Sequence, residues 1–211
     1  MPLDAGSVRA RLPHREVVWL DTVGSTMTEA ARLAAAGCPH GTVVGADEQT
    51  AGQGRHGRSW YSEKDAGLYV SVVLRPELPA DSLTSLTLAL GLATREAILN
   101  SSGILCDLKW PNDLLANGKK CAGILAQGTP AAVIAGVGIN VNQEGFPGEL
   151  AETAASLRLV SGRPHSREDL LVRLLLSVDK FAALLQEEGS ERVIRLYSEA
   201  ARKGVVHAAG S

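Results

Sequence analysis

Apolar and polar positions along the chain alternate between strand-like runs and helical periodicities. Glu16 to Leu20 (EVVWL) predicts a strand. The Ala- and Leu-rich stretch to Ala36 predicts a helix, with Thr26 and Glu29 spaced as a capping box and Gly37 as its stop. Thr42 to Gln49 reads as a strand running into a glycine loop, and Leu68 to Leu74 (LYVSVVL) as a valine-rich strand. Past Pro76 and Pro79, Asp81 or Ser82 can cap a long helix to about Leu99. Leu105 to Trp110 predicts a further strand. Asn117-Gly118 between two apolar stretches predicts a hairpin, and AAVIAGVGINVN another strand. From Ser166 to about Gln186 apolar residues recur at helical spacing (Leu170, Leu171, Leu174, Leu175, Val178, Phe181), and a last helix is expected from about Ser190 to Arg202. Strands follow one another in the middle of the chain rather than alternating regularly with helices. That order predicts an α+β fold, not a repeating βαβ sheet, in one domain spanning 1–211.

Composition narrows the function. The chain has 211 residues, 45% hydrophobic and 21% charged, as in an ordinary globular protein with a real core. A formal net charge of -2 argues against a general grip on nucleic acid or an anionic membrane. The start, Met1-Pro2-Leu3-Asp4, lacks the layout of a signal peptide, and no apolar run reaches membrane-span length. Cys38, Cys106 and Cys121 are odd in number and far apart, which predicts reduced thiols in a cytoplasmic protein. Five scattered histidines without H-E-x-x-H or C-x-x-C speak against zinc.

The chemistry-bearing stretch is GQGRHGRSW, residues 52 to 60. Gly52, Gly54 and Gly57 fit the dinucleotide fingerprint G-x-G-x-x-G, and Glu77 falls near its acidic position. That fingerprint must open a helix, because the pyrophosphate sits on the helix N-terminus. Here RSWYSEKDAG follows, without apolar periodicity, and no Gly-Lys-Ser/Thr makes a P-loop. What remains is a glycine loop carrying Arg55 and Arg58. It is either a solvated surface loop or a cradle whose arginine forks take phosphate or carboxylate oxygens. Residues 109 to 125 gather Lys109, Asn112, Asp113, Lys119 and Lys120 around the hairpin, and GVGINVN brings Gly136, Gly138 and Asn140 to a strand end. Taken singly, these read equally well as a turn, solvated hairpin ends and a turn cap.

In combination they do not. STMTEA, DEQTAGQGRHGRSW, KWPNDLL through KKCAGIL, and GVGINVN follow in this order, and from Val17 to Tyr197 the chain resembles the catalytic domain of biotin protein ligases. The resemblance implies a fold like the class II aminoacyl-tRNA synthetases: a mixed, largely antiparallel sheet backed by helices. It implies that Ser25, Thr26 and Gln49, with the backbone at Gly52, hold the ureido head of biotin, and that Trp60 packs beside it. Trp60 reads equally as core filler. Gln53, Gly54 and Arg55 would close over the biotin carboxylate and the phosphate, which Lys120 also touches, with the Gly123 backbone facing the ligand. Arg55, Arg58, Asn112 and Asn140 would face the nucleotide. Arg55, Lys120, Lys109 and Asp113 form the set assigned to catalysis, Asp113 through magnesium.

The implied reaction fits these residue types. A carboxylate attacking the α-phosphorus of ATP brings two anions together, and Arg55 and Lys120 would neutralise them. The product, biotinyl-5'-AMP, is a mixed anhydride that a glycine-rich lid would shield from water. The lysine of a biotin carboxyl carrier protein would then attack it. The substrates are biotin and ATP with Mg2+, no nucleic acid or membrane partner is expected, and the enzyme would be a monomer or weak homodimer. Gln53 stands where the family often has arginine, and Cys121 where leucine is usual. The stretch before Val17 is expected to be too short for the winged helix of repressor members. The chain ends about where a small SH3-like domain would begin. Two other readings are a lipoate or octanoate ligase or transferase of the same superfamily, and a non-catalytic biotin-binding protein.

Overall fold

The computed structural model describes residues 1–76 and 83–208. Seven strands form one sheet: β1 (Val17–Val23), β2 (Val43–Gln49), β3 (Leu68–Leu74), β4 (Asp107–Lys109), β5 (Asp113–Ala116), β6 (Lys119–Gly128) and β7 (Val133–Ile139). Their spatial order is β1-β2-β3-β7-β6-β5-β4. Only β1 and β2 run parallel; every other neighbouring pair is antiparallel. The expected α+β class and mixed, largely antiparallel sheet are found.

The helices are α1 (Ala5–Arg11), α2 (Thr26–Ala35), α3 (Leu83–Ser102), the short α4 (Leu150–Thr153) and α5 (Leu157–Ser161), and α6 (Arg167–Ala208). α6 is broken at Gly189, whose φ of 79° and ψ of 178° interrupt the helical ladder, so the two expected C-terminal helices are two. α3 runs a little past the expected Leu99; its expected start at Asp81 or Ser82 lies outside the described residues. Asn117 and Gly118 both take positive φ, 51° and 76°, as a two-residue hairpin turn requires.

The sheet is covered on both faces. On one, α3, α6 and α1 pack over Val70, Val72, Leu74, Ile124, Val137 and Ile139. On the other, Met27, Ala30 and Ala34 of α2 pack over Val44, Val73 and Ile134. This explains why all seven residues of LYVSVVL are buried. The second face is only partly covered. Beyond Val73 and Ile134 it continues as Ser71 and Tyr69 on β3, Gly136 and Gly138 on β7, and Gly123 on β6, in register. Glycines in this layer leave a trough beside α2.

Two local expectations need correction. The capping box does not form: α2 begins at Thr26, its N-cap is Ser25, and the Ser25 side chain makes no capping hydrogen bond. The Thr26 hydroxyl is instead bonded to Gln49 Oε1 at 3.1 Å and Ser71 Oγ at 2.9 Å, and Glu29 pairs with Arg32 at 2.6 Å. The first strand starts at Val17 and runs on to Val23, because its pairing with β2 continues to Val23 opposite Gln49. α1, α4 and α5 carry too little periodicity to have been expected.

Candidate functional site

The trough is the floor of a cleft enclosing about 450 Å³, part of it open to solvent. Its inner end is polar. Gln49, at the end of β2, accepts from the Thr26 N–H at 2.9 Å and hydroxyl at 3.1 Å, and donates through Nε2 to Ser62 Oγ at 3.0 Å. Thr26 sits at the first turn of α2, where free N–H groups and the positive helix end favour a ligand acceptor. Ser25 is 4% exposed, and neither its hydroxyl nor the Trp60 indole N–H has a partner among the described residues. Buried polar atoms are normally bonded, so both are suited to a bound polar group.

The middle is apolar and flat. Trp60 lies across the glycine trough: a Cβ on Gly138 would stand 2.5 Å from its Cε2, and one on Gly123 2.8 Å from its Cζ3. Met27 covers Gly136 in the same way, at 2.5 Å from its sulfur. Only glycine permits these approaches. Tyr69 closes the wall. Its hydroxyl donates to the Glu63 carbonyl at 2.9 Å and accepts from Gln143 Nε2 at 3.2 Å. Burial, with the nearby Glu63 carboxylate, holds the phenol well above the ordinary tyrosine range, so it is a neutral wall and not a base.

The mouth is cationic. Lys120 Nζ is 2.7 Å from Asp113 Oδ1 and 5.2 Å from the centroid of Trp60. Asn112 Nδ2 donates to the same Asp113 oxygen at 3.1 Å, and Asn112 Oδ1 accepts from Arg55 Nη1 at 3.0 Å. Arg55, Asn112, Asp113 and Lys120 thus form one continuous chain of polar contacts across the opening. Arg55 belongs to a 3-10 turn, Arg55–Gly57, inside a tight loop. There Gly54 N donates to the Arg58 carbonyl at 2.7 Å, Trp60 N donates to the Gly52 carbonyl at 2.9 Å, and Gly57 takes a φ of 73°.

Most of the expected site residues come together here: Thr26, Gln49, Gln53, Gly54, Arg55, Trp60, Asn112, Lys120 and Gly123 line the cleft. Ser25 and Gly52 are buried and do not line the cleft, and Asp113 reaches it through Lys120 and Asn112. Arg58 is exposed on the outer side of the loop. Lys109 is exposed at the end of β4, opposite Asp113 in the ladder, and does not line the cleft. Asn140 is 4% exposed and does not line the cleft; its Nδ2 donates to the Ala155 carbonyl at 3.1 Å. Met27, Tyr69 and Leu125 line the cleft without having been singled out; the alternation that places Tyr69 on the face of Ser71 was the available signal. Ser161 and His165 form a hydrogen-bonded pair at 2.7 Å, and neither lines the cleft.

The Biotin/lipoate A/B protein ligase family pattern matches residues 19–144. Over 180 residues the chain is 40% identical to the bifunctional ligase/repressor BirA of Bacillus subtilis (strain 168), covering 82% of this chain and 55% of that protein. It is 38% identical over 188 residues to the biotin–[acetyl-CoA-carboxylase] ligase of Mycobacterium tuberculosis, covering 84% and 70%. The chain therefore spans about half the length of the first of these relatives. Among solved structures, the biotin protein ligase of Aquifex aeolicus in complex with biotin and ATP superposes with a TM-score of 0.77 at 35% identity, covering 84% of this chain and 74% of that one. The biotin protein ligase of Leishmania major in complex with biotinyl-5-AMP gives 0.75 at 26% identity, covering 90% and 82%. With the family pattern matching over more than half its length, this chain belongs to the Biotin/lipoate A/B protein ligase family.

Proposed function

We propose that this chain activates biotin with ATP as biotinyl-5'-AMP and transfers the biotinyl group to a lysine of a biotin carboxyl carrier domain. The observation that carries this reading is the polarity of the cleft, with amide and hydroxyl groups at the inner end, a flat apolar middle, and two cations at the mouth. Biotin has the same order of parts: a planar ureido group, an apolar ring and chain, and a carboxylate. The relatives named above include a biotin–[acetyl-CoA-carboxylase] ligase and a biotin protein ligase holding biotin and ATP together.

In this reading Gln49, Thr26 and the free Ser25 hydroxyl orient the ureido head, and Trp60 stacks over the apolar part. The carboxylate enters between Lys120 and Arg55, which offset its repulsion from the α-phosphate and the charge that builds on the phosphate oxygens. The residues fit a magnesium ion that arrives with ATP, not a resident one. Asp113 supplies one carboxylate beside the mouth, and no group of three His, Cys, Asp or Glu side chains occurs among the described residues. Magnesium, when bound with ATP, would neutralise the leaving pyrophosphate. The neutral amine of the carrier lysine would then attack the anhydride's acyl carbon from the open side, forming the amide, breaking the acyl–phosphate bond and releasing AMP and a proton. All three cysteines are free, which suits a reducing cytoplasm. No helix among the described residues is long and apolar enough to cross a membrane.

The test is ATP–pyrophosphate exchange, followed by transfer to a carrier domain. Exchange is expected with biotin and magnesium together. Equal turnover with lipoate or octanoate would replace this reading by the neighbouring ligase activity, and biotin binding without exchange would make the chain a binding protein.

A further inference from the structure

We infer that Ser62 is a positioning residue for Gln49, the amide set against the ureido head in the function proposed above; the inference rests on that reading. Ser62 is 8% exposed and does not line the cleft, yet it touches two residues that do. Its hydroxyl accepts from Gln49 Nε2 at 3.0 Å and donates to the Trp60 carbonyl at 3.3 Å.

Counting donors and acceptors places the hydrogens around Gln49. Its Oε1 can only accept, and it takes the Thr26 N–H at 2.9 Å and the Thr26 hydroxyl at 3.1 Å. The one hydroxyl hydrogen of Thr26 is then spent, so in its 2.9 Å contact with Ser71 the Ser71 hydroxyl is the donor. Gln49 Nε2 can only donate, so Ser62 accepts there and turns its own hydrogen to the Trp60 carbonyl. The bonds therefore run one way, from Ser71 through Thr26, Gln49 and Ser62 to Trp60. Reversing the Gln49 amide would set its NH2 against the Thr26 N–H and draw the Ser62 hydrogen away from Trp60. Gly52 makes room for this run. A Cβ there would stand 2.7 Å from the Trp60 carbonyl oxygen, 3.0 Å from Ser62 Oγ and 3.1 Å from Gln49 Nε2. Thr26 thus fixes the oxygen end of the amide and Ser62 the nitrogen end. Through the Trp60 carbonyl, Ser62 also ties that amide to the backbone of the residue whose ring lies over the glycine trough.

The test is Ser62→Ala in the whole chain, alone and combined with Gln49→Leu. Alone, it is expected to weaken biotin binding about 10-fold by titration calorimetry, the effect of leaving a buried donor unmet. In ATP–pyrophosphate exchange the KM for biotin should rise by the same factor, with kcat and the KM for Mg-ATP within about twofold. Because Ser62 acts through Gln49, adding Ser62→Ala to Gln49→Leu should cost nothing further, whereas a role in packing alone would cost the same in both backgrounds. A second readout needs neither ligand nor activity. The Gln49 side-chain amide signal in nitrogen–proton correlation spectra, identified by its absence in Gln49→Leu, should move in Ser62→Ala toward the position of an unbonded amide. If the unmodified chain neither binds biotin nor exchanges, the functional reading fails, and the amide signal alone decides whether Ser62 holds Gln49. An unchanged biotin affinity in Ser62→Ala, an undiminished further loss in the Gln49→Leu background, or an unmoved amide signal overturns the inference.

Discussion

Gly123 and Gly138 face each other across β6 and β7, and the Trp60 indole lies over both. The pair makes a two-residue gap in the side-chain layer that the ring fills from above. Gly138→Ala would put a methyl 2.5 Å from Trp60 Cε2, and the ring would have to lift. Overpacking of this kind costs about 1–3 kcal/mol, here charged to the ring position that biotin would contact. Biotin affinity is expected to fall by roughly 10-fold or more, with the melting temperature lowered by a few degrees. Titration calorimetry with biotin checks this; an unchanged Kd would mean that Trp60 does not pack on the ligand.

Lys120 and Lys119 are neighbours with different surroundings. Lys120 points to Asp113 and the Trp60 face, while Lys119 reaches out to the Ala151 carbonyl at 3.0 Å. Lys120→Ala is expected to slow pyrophosphate exchange about ten- to a hundredfold, the loss of a charge-assisted contact of roughly 1.5–3 kcal/mol. Lys119→Ala should stay near the parent rate. Equal behaviour of the two variants would sink the assignment of Lys120.

Arg167 and Asp47 form an ion pair with both side chains 4% exposed, at 2.9 Å. Arg167 also donates to the carbonyls of Gly67 and Met1, and Asp47 Oδ1 accepts from Leu3 N–H, so the pair ties the N-terminal segment to β2 and α6. Asp47→Ala leaves the buried guanidinium with only the longer pair to Asp65 Oδ1 at 3.8 Å and is expected to cost about 3 kcal/mol, the low end for breaking a buried pair. Urea unfolding measures it. A loss below about 1 kcal/mol, within the range of an exposed pair, would show that water reaches Arg167.

The sequence carried the sheet strands, the hairpin and most of the cleft, because period-two runs, an Asn-Gly turn and glycines at close approaches each leave a local signature. Where it failed, tertiary contacts decided. Thr26 and Glu29 have capping-box spacing, but Gln49 and Ser71, 23 and 45 residues away, take the Thr26 hydroxyl. The bulge at Cys121 breaks the alternation by which Lys120 would be assigned a face. No local pattern marks Asn140 as buried, since its partners come from β6 and from the loop before α5. Lys109 shares a motif with Asn112 but lies on the edge strand, where the ladder turns it to solvent.

His165 gives the stability a pH dependence. Burial, and then the Arg163 guanidinium, hold its imidazole below the ordinary 6.5, outweighing a backbone bond that raises it. The folded state therefore prefers the neutral ring. Its contribution is complete above pH 6.5 and is lost as pH falls from there through the lower folded value. Stability should decline on acidification from about pH 6.5, and His165→Gln should flatten that part of the curve. Urea midpoints between pH 5 and 7.5 report it; parallel curves for the two proteins would assign the titration elsewhere.

Arg55 has the geometry of a latch. Its loop is mostly exposed, its turn depends on the positive φ of Gly57, and across the mouth Arg55 Nη1 is bonded to Asn112 Oδ1 at 3.0 Å. Asn112 leads on to Asp113 and Lys120, so the loop is moored to the same polar chain that would meet the substrate carboxylate. Arg55→Gly removes the mooring and, in the reading proposed above, a phosphate contact as well, roughly 1.5–3 kcal/mol of charge-assisted bonding. Such losses fall mainly on the off-rate. Biotinyl-5'-AMP should then leave about ten- to a hundredfold faster while adenylation partly survives. Released anhydride would acylate lysines of any protein present. Arg58, on the outer side of the loop, should matter less. Stopped-flow dissociation of biotinyl-5'-AMP and biotin counted on an added bystander protein separate the two variants. Clean bystanders and an unchanged off-rate with Arg55→Gly would leave the loop as a wall of the cleft without a latching role.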